Sequence, residues 1–362
     1  MGKMSPNYRH SARGQSAAAP LQGRHRWLLP LLALVALLLG AASGCFSWNQ
    51  VPTGVEQHAV DLQVAGLTQL YTVLMPRSAA ALAPARRAGV VLLHSGFSGD
   101  ESESAKLARQ LAQRGLVVIL PSYRGERRKV DGKRSEGKIE FCRGEVDDAQ
   151  AALHWLRAQP FVDGQRLAAL GSSHGGCIAL RLGAREPGLR AVVTFSAPVA
   201  AAPLVEHLQS HPAQTFLYNG ILASQLRSYI QTTAQEHPEL YAERSPIATV
   251  AALRMPLLIF HGTDDHIVPR EQACWLYQGL LSSGRQVQES WISPQGIEYR
   301  PPASGCPQAA AATVSATPLS VPTKFVFLEG QSHFYARRPK EAARAMAIDF
   351  LQQELRAQGT DK

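Results

Sequence analysis

The stretch Gly171-Ser172-Ser173-His174-Gly175-Gly176 carries the pattern G-x-S-x-G between an apolar run, Leu167–Leu170, and a helix-like run, Cys177–Arg185. A serine on such a strand-to-helix turn stands on a nucleophile elbow, where flanking glycines let the backbone turn sharply and hold Oγ clear of the sheet. Ser173 is the candidate nucleophile and Ser172 a turn residue. The pattern alone is weak, because glycine and serine also build plain turns. An acid and a histidine in the right order would decide the matter.

Both are found after strand-like runs. Leu257–Pro269 reads as a buried parallel strand running into a loop, and two aspartates sit just past the strand end. Asp265 is the candidate acid, placed to orient an imidazole and stabilise its protonated form, and Asp264 is a turn or capping residue. Phe325–Leu328 reads as the last strand, and His333 lies in the loop behind it. Of the chain's twelve histidines, His94, His174 and His261 adjoin strand ends but precede Asp265, and His266 shares the turn of the acid. Only His333 completes the order Ser…Asp…His. An oxyanion needs backbone amides; His174, after the nucleophile, and Gly96, in the loop after Val90–Leu93, are the candidate donors, with Phe97 the alternative to Gly96.

The elements that must position these residues alternate. Val60–Val64 and Thr68–Leu74 read as an antiparallel opening pair. Val90–Leu93, helix 101–114, Leu116–Leu120, helix 145–158, Leu167–Leu170, helix 173–185 and Ala191–Phe195 follow. That alternation predicts an α/β fold with a mainly parallel, doubly wound sheet. Residues 198–250 break it with short helical stretches, which predicts a helical lid or acyl-pocket wall; Leu204, Leu208, Phe216, Leu217, Tyr218, Leu222, Leu226 and Tyr229 are its candidate lining. Residues 285–322, rich in Ala, Pro and Ser, read as a variable surface loop. Arginines and lysines crowd 124–138, which reads as a solvated loop, or as a rim favouring anionic substrates if it borders the pocket.

At this point the chain resembles the α/β-hydrolase superfamily, and within it the prolyl-oligopeptidase and dienelactone-hydrolase-like branch. The resemblance rests on Val90–Leu93 with its His-Ser-Gly loop, Pro121–Glu126, the block from Glu145 to Gly176, Ser245-Pro246-Ile247, Met255–Leu258 with His261-Gly262, and the Gly330-x-x-His333 ending. It implies an α/β-hydrolase fold and acyl transfer through Ser173, Asp265 and His333, with no cofactor. Two departures bear on substrate. The large β-propeller of prolyl oligopeptidases has no counterpart in residues 45–89, and the cysteine nucleophile of dienelactone hydrolases is replaced by Ser173.

Residues 1–26 carry Lys3, Arg9, Arg13, Arg24 and Arg26 and no acid, Trp27–Ala42 is almost continuously apolar, and Ser43-Gly44-Cys45 follows. This pattern predicts a signal peptide over 1–44 of the bacterial lipoprotein type, cleavage before Cys45 and lipidation of its thiol, with a linker over 45–59 and the hydrolase domain over 60–357. About 16 apolar residues broken by Pro30 are short of the roughly 20 that span a bilayer. Removing the leader lowers the net charge from +9 to +4, too modest to argue for nucleic acid. Cys142, Cys177, Cys274 and Cys306 permit three disulfide pairings outside the cytoplasm, and the sequence does not choose among them. No cysteine–histidine spacing suggests a metal site.

The expectation is therefore a lipid-anchored serine hydrolase of the bacterial envelope, facing the periplasm or exterior. Its substrates are small carboxylic esters, with short peptides or aminoacyl compounds as the alternative. A catalytically inactive binding module is the third reading.

Overall fold

A computed structural model describes residues 51, 53–77, 86–96, 101–212, 218–301, 304–306 and 319–356. The predicted leader, Cys45, Phe97, Phe216 and Leu217 lie outside them.

Ten strands form one sheet: β1 (Val55–Val64), β2 (Leu67–Pro76), β3 (Arg87–Leu93), β4 (Val117–Ser122), β5 (Val162–Ser172), β6 (Ala191–Phe195), β7 (Leu257–Gly262), β8 (Arg285–Ile292), β9 (Glu298–Tyr299) and β10 (Leu319–Leu328). Their order is β1-β2-β4-β3-β5-β6-β7-β10-β8-β9. From β4 to β8 every pair is parallel, while β1, β2 and β9 pair antiparallel. The sheet interior is a run of Val, Leu, Ile and Phe because helices cover both faces. On one face pack α1 (Glu101–Gln113) and α8 (Arg337–Glu354), through Leu107, Leu111, Ala343 and Leu351. On the other pack α2 (Gly144–Ala158), α3 (His174–Arg185) and α7 (Arg270–Ser282), through Leu153, Ile178 and Leu276. This is the doubly wound α/β-hydrolase architecture.

The predicted lid is helical: α4 (Ala201–Ser210), α5 (Tyr218–Ile230) and α6 (Pro238–Ala242). It has a small core of its own, in which Leu204, Leu208, Leu222, Leu226 and Tyr241 meet Phe141, Ile267 and Val268 of the body. The 3-10 turn Pro246–Ala252 instead packs on α3 and α7, so the last residues of the 198–250 segment belong to the body.

Two boundaries differ from the sequence reading. β1 begins at Val55, so the end of the expected 45–59 linker is strand, paired residue by residue with β2. Its polar residues face solvent at the sheet edge, which hides the strand from an apolar pattern. The segment 285–322 is likewise no simple loop. It contains β8, whose Val287 and Trp291 pack on the core while Gln286 and Gln288, on either side of Val287, are exposed, and β8 lies parallel to β10 at the far side of the sheet. The cysteines pair as Cys142–Cys177 and Cys274–Cys306.

The second bridge ties the chain beyond β9 to α7, remote from Ser173. Replacing both Cys274 and Cys306 with alanine should lower stability by ~3 kcal/mol, the order expected for a loop of this length. Thermal unfolding should move down, with hydrolysis rates at low temperature unchanged.

Candidate active site

The backbone at Ser173 is left-handed, φ 50°, a conformation that a non-glycine residue adopts only when its surroundings enforce it. The surroundings do. A Cβ on Gly171 would lie 2.0 Å from the Gly175 carbonyl oxygen, and one on Gly175 would lie 2.2 Å from the Leu93 carbonyl oxygen. The ends of β5 and β3 and the first turn of α3 therefore meet backbone to backbone. The Ser173 amide donates to the Phe195 carbonyl at 2.8 Å, extending the ladder to β6.

His333 Nε2 lies 3.0 Å from Ser173 Oγ, and its Nδ1 lies 2.7 Å from Asp265 Oδ2. The structure thus brings the three sequence-selected residues into one hydrogen-bonded chain. Asp265 is buried, and its Oδ1 accepts the amides of Ile267 (3.0 Å) and Val268 (2.8 Å). Burial favours its neutral form, but His333, His261 and the Val268 amide more than offset this and hold the carboxyl below its ordinary range. Asp264 is exposed and bonds to Thr263 Oγ1, a turn role as expected. The acid and histidine loops are fastened together: the Asp264 amide donates to the Gln331 carbonyl, and the Gly330 amide to Thr263 Oγ1.

The expected oxyanion donors separate. The His174 amide opens α3 beside Ser173, at the positive end of that helix. Gly96, in contrast, has φ +71°, which folds its amide back onto the ring of its neighbour, and it donates to His94 Nδ1 at 3.1 Å. Its amide is engaged there. Phe97 lies outside the described residues.

Beneath the site is a support that the sequence reading missed. Cys142 donates its amide to His174 Nε2 (3.0 Å), Phe141 stacks on the same ring, and both residues have positive φ. The Cys142–Cys177 bridge clamps this turn to the first turn of α3. Glu145, fully buried, accepts the amides of Glu140 (2.7 Å) and Arg143 (3.2 Å) and holds the turn from below. No signal at the level of sequence singles out Phe141, because its neighbours in space are remote along the chain. Two arginines of the basic segment before it are structural. Arg124 is buried against Asp148 (2.9 Å) and Glu140 (2.7 Å), and Arg128 is buried against Asp61 and Asp131.

A cavity opens from Ser173 and His333 under the lid, walled by Phe141, Pro198, Leu204, Leu222 and Leu226. Among the described residues no three metal-ligating side chains are grouped, and no helix is long and apolar enough to cross a membrane.

The model of the prolyl oligopeptidase family matches residues 103–296, more than half the sequence. The chain belongs to the prolyl oligopeptidase family. It is a serine hydrolase with the α/β-hydrolase fold. It is 26% identical to an uncharacterized peptidase, YtmA, of Bacillus subtilis, over 60% of this chain and 79% of that one. It is also 26% identical to the esterase YjfP of Escherichia coli, over 58% of this chain and 82% of the relative. Among solved structures it resembles a puromycin-hydrolyzing peptidase of Mycobacterium tuberculosis, with a TM-score of 0.61 and 20% identity, over 85% of this chain. The match spans 41% of that peptidase, so the likeness there is one of fold in the shared part.

Glu145 supplies a pH test. Burial pushes its carboxyl up to about 7, against an unfolded value near 4.3. The folded protein therefore holds a proton that the unfolded chain has released, and stability falls as pH rises through this window, by ~4 kcal/mol in all. The decline in unfolding temperature between pH 5 and pH 8 should be smaller in Glu145→Gln than in the parent protein.

Proposed function

We propose that this protein hydrolyses small carboxylic esters with apolar acyl groups through an acyl-enzyme. Ser173 Oγ attacks the acyl carbonyl carbon while His333 Nε2 takes its proton. Asp265 holds the imidazole in the required tautomer and stabilises the imidazolium, and the His174 amide receives the developing oxyanion. His333 then returns the proton to the departing alkoxide, and water repeats the sequence on the acyl-enzyme.

The observation that carries the ester reading is the lid-side cavity. Its walls are apolar, and a free peptide amine would need a carboxylate there. Three acids of the lid are occupied elsewhere: Glu236 bonds to Thr232 and Thr233, Glu239 to His237, and Glu243 pairs with Arg143, while Glu206 is exposed on α4. None of them lines the cavity. Membership of a family that includes peptidases supports a second reading, hydrolysis of short peptides or aminoacyl compounds.

Both readings require covalent labelling of Ser173 by a fluorophosphonate, lost in Ser173→Ala together with at least about a thousandfold of hydrolysis. Parent protein that stays unlabelled would leave only a binding role. Nitrophenyl esters of rising chain length should be cleaved faster than aminoacyl anilides, and the reverse order would favour the peptidase reading.

We also propose that the domain is tethered to the bacterial envelope through a lipidated Cys45. The charged start, the apolar stretch and the small residues before Cys45 support this, as do two disulfides, which suit an oxidising compartment. Labelled palmitate should enter the parent protein and not Cys45→Ser, and equal labelling of both would reject the anchor.

A further inference from the structure

A second cavity meets the site at His333 from the side away from the lid. It lies between α1 and α8, over the ends of β3, β5 and β6, and its floor is Leu92, Leu107, Leu170 and Phe195. Ser172 and His333 form its inner end, and Lys340, Arg344 and Glu103 its outer end. Among the described residues, none of the lid lines it, and neither do Ser95 and Gly96.

The reaction geometry says what belongs there. The His174 amide and Ser173 both line the lid-side cavity, so the carbonyl and its acyl substituent lie on that side. The remaining substituent of the tetrahedral centre is the leaving group, which must pass His333 to collect its proton. The second cavity adjoins His333 on that path.

Its outer end is positive. Arg344 pairs with Glu103, and Lys340 Nζ stands 3.9 Å from the same carboxylate. These two and Lys106 hold Glu103 below the ordinary carboxyl range despite its partial burial, and Lys106 and Arg344 also act on Glu341. The nearby Glu341 is about half exposed and pairs with Arg337. The first turn of α8 contains Arg337, Arg338 and Lys340 and no acid. Cations at a helix N-terminus oppose the helix dipole, so helix stability does not account for them. Glu103 and Glu341 offset part of this charge, and the excess favours an anion seated at that end.

We infer that this cavity is the leaving-group subsite and that it selects an apolar leaving group bearing a carboxylate, which Lys340 and Arg344 receive. This rests on the ester reading above. In the step concerned, the bond from Ser173 Oγ to the acyl carbon forms and the carbon–oxygen bond to the leaving group breaks. The proton taken from Ser173 passes through His333 to the leaving oxygen, and the carboxylate stays ionised throughout.

The test holds the acyl group fixed and compares 4-(butyryloxy)phenylacetate with its methyl ester, whose phenols have similar acidity. The parent protein should favour the anion in kcat/KM by about fivefold, chiefly through KM, the size of one half-buried ion pair. Lys340→Met should bring the ratio near one, and Lys340→Glu should invert it. Cleavage of both esters with no preference, or a ratio untouched by Lys340→Met, overturns the subsite and leaves ester hydrolysis standing. Binding of 4-hydroxyphenylacetate to the Ser173→Ala protein, followed by calorimetry, reads the subsite without turnover. Weakening by Lys340→Met is expected there too, and equal affinity overturns the inference.

Discussion

Three backbone segments meet at the elbow with no space for side chains, and this contact governs the rest of the site. The end of β5, the end of β3 and the first turn of α3 touch through Gly171, Gly175 and the Leu93 carbonyl. The left-handed Ser173 is held by that contact and by its amide bond to β6. A second close approach locks the other half of the site, since a Cβ on Gly262 would lie 2.3 Å from the Gln331 carbonyl oxygen. Reacting groups must be fixed to within fractions of an ångström, and glycines at these crossings let rigid strand ends supply that precision.

Two buried carboxylates near this frame are driven in opposite directions. Asp265 has two backbone amides and an imidazole within hydrogen-bond reach, enough to keep it ionised despite its burial. Glu145 also receives two amides, but its neighbouring ring, His174, is itself so buried that its basicity falls to about 3 and it offers no positive charge. Burial then dominates, and Glu145 favours the neutral form up to near neutrality. The same residue class is thus an anion beside His333 and a pH-sensitive brace beneath His174.

Substrate choice belongs to the parts mounted on this frame. The lid and the disulfide-clamped turn at Phe141 shape one cavity, and the gap between α1 and α8 shapes the other. His333 lines both, which is what a group that serves the nucleophile first and the leaving group second requires. Loops and insertions can vary these cavities without disturbing the glycine crossings, so a shared fold leaves the substrate to be argued from the walls.

The order of the triad, the alternation of strands and helices and the helical lid were legible in the sequence because each leaves a local mark. A glycine pair brackets Ser173, an apolar strand precedes Asp265, and another precedes His333. β8 and the start of β1 were less legible, since strands near a sheet edge carry polar residues and lack the continuous apolar run of the interior. Disulfide pairing, the engagement of Gly96 with His94, the buried Glu145 and the placement of Phe141 were decided only by tertiary structure. Each depends on distances between segments remote in sequence, as when Cys142 and Cys177 meet across 35 residues. Local patterning determines which residue types follow which. Whether an amide is committed, a carboxyl ionised or a cavity apolar depends on what the folded chain brings beside it.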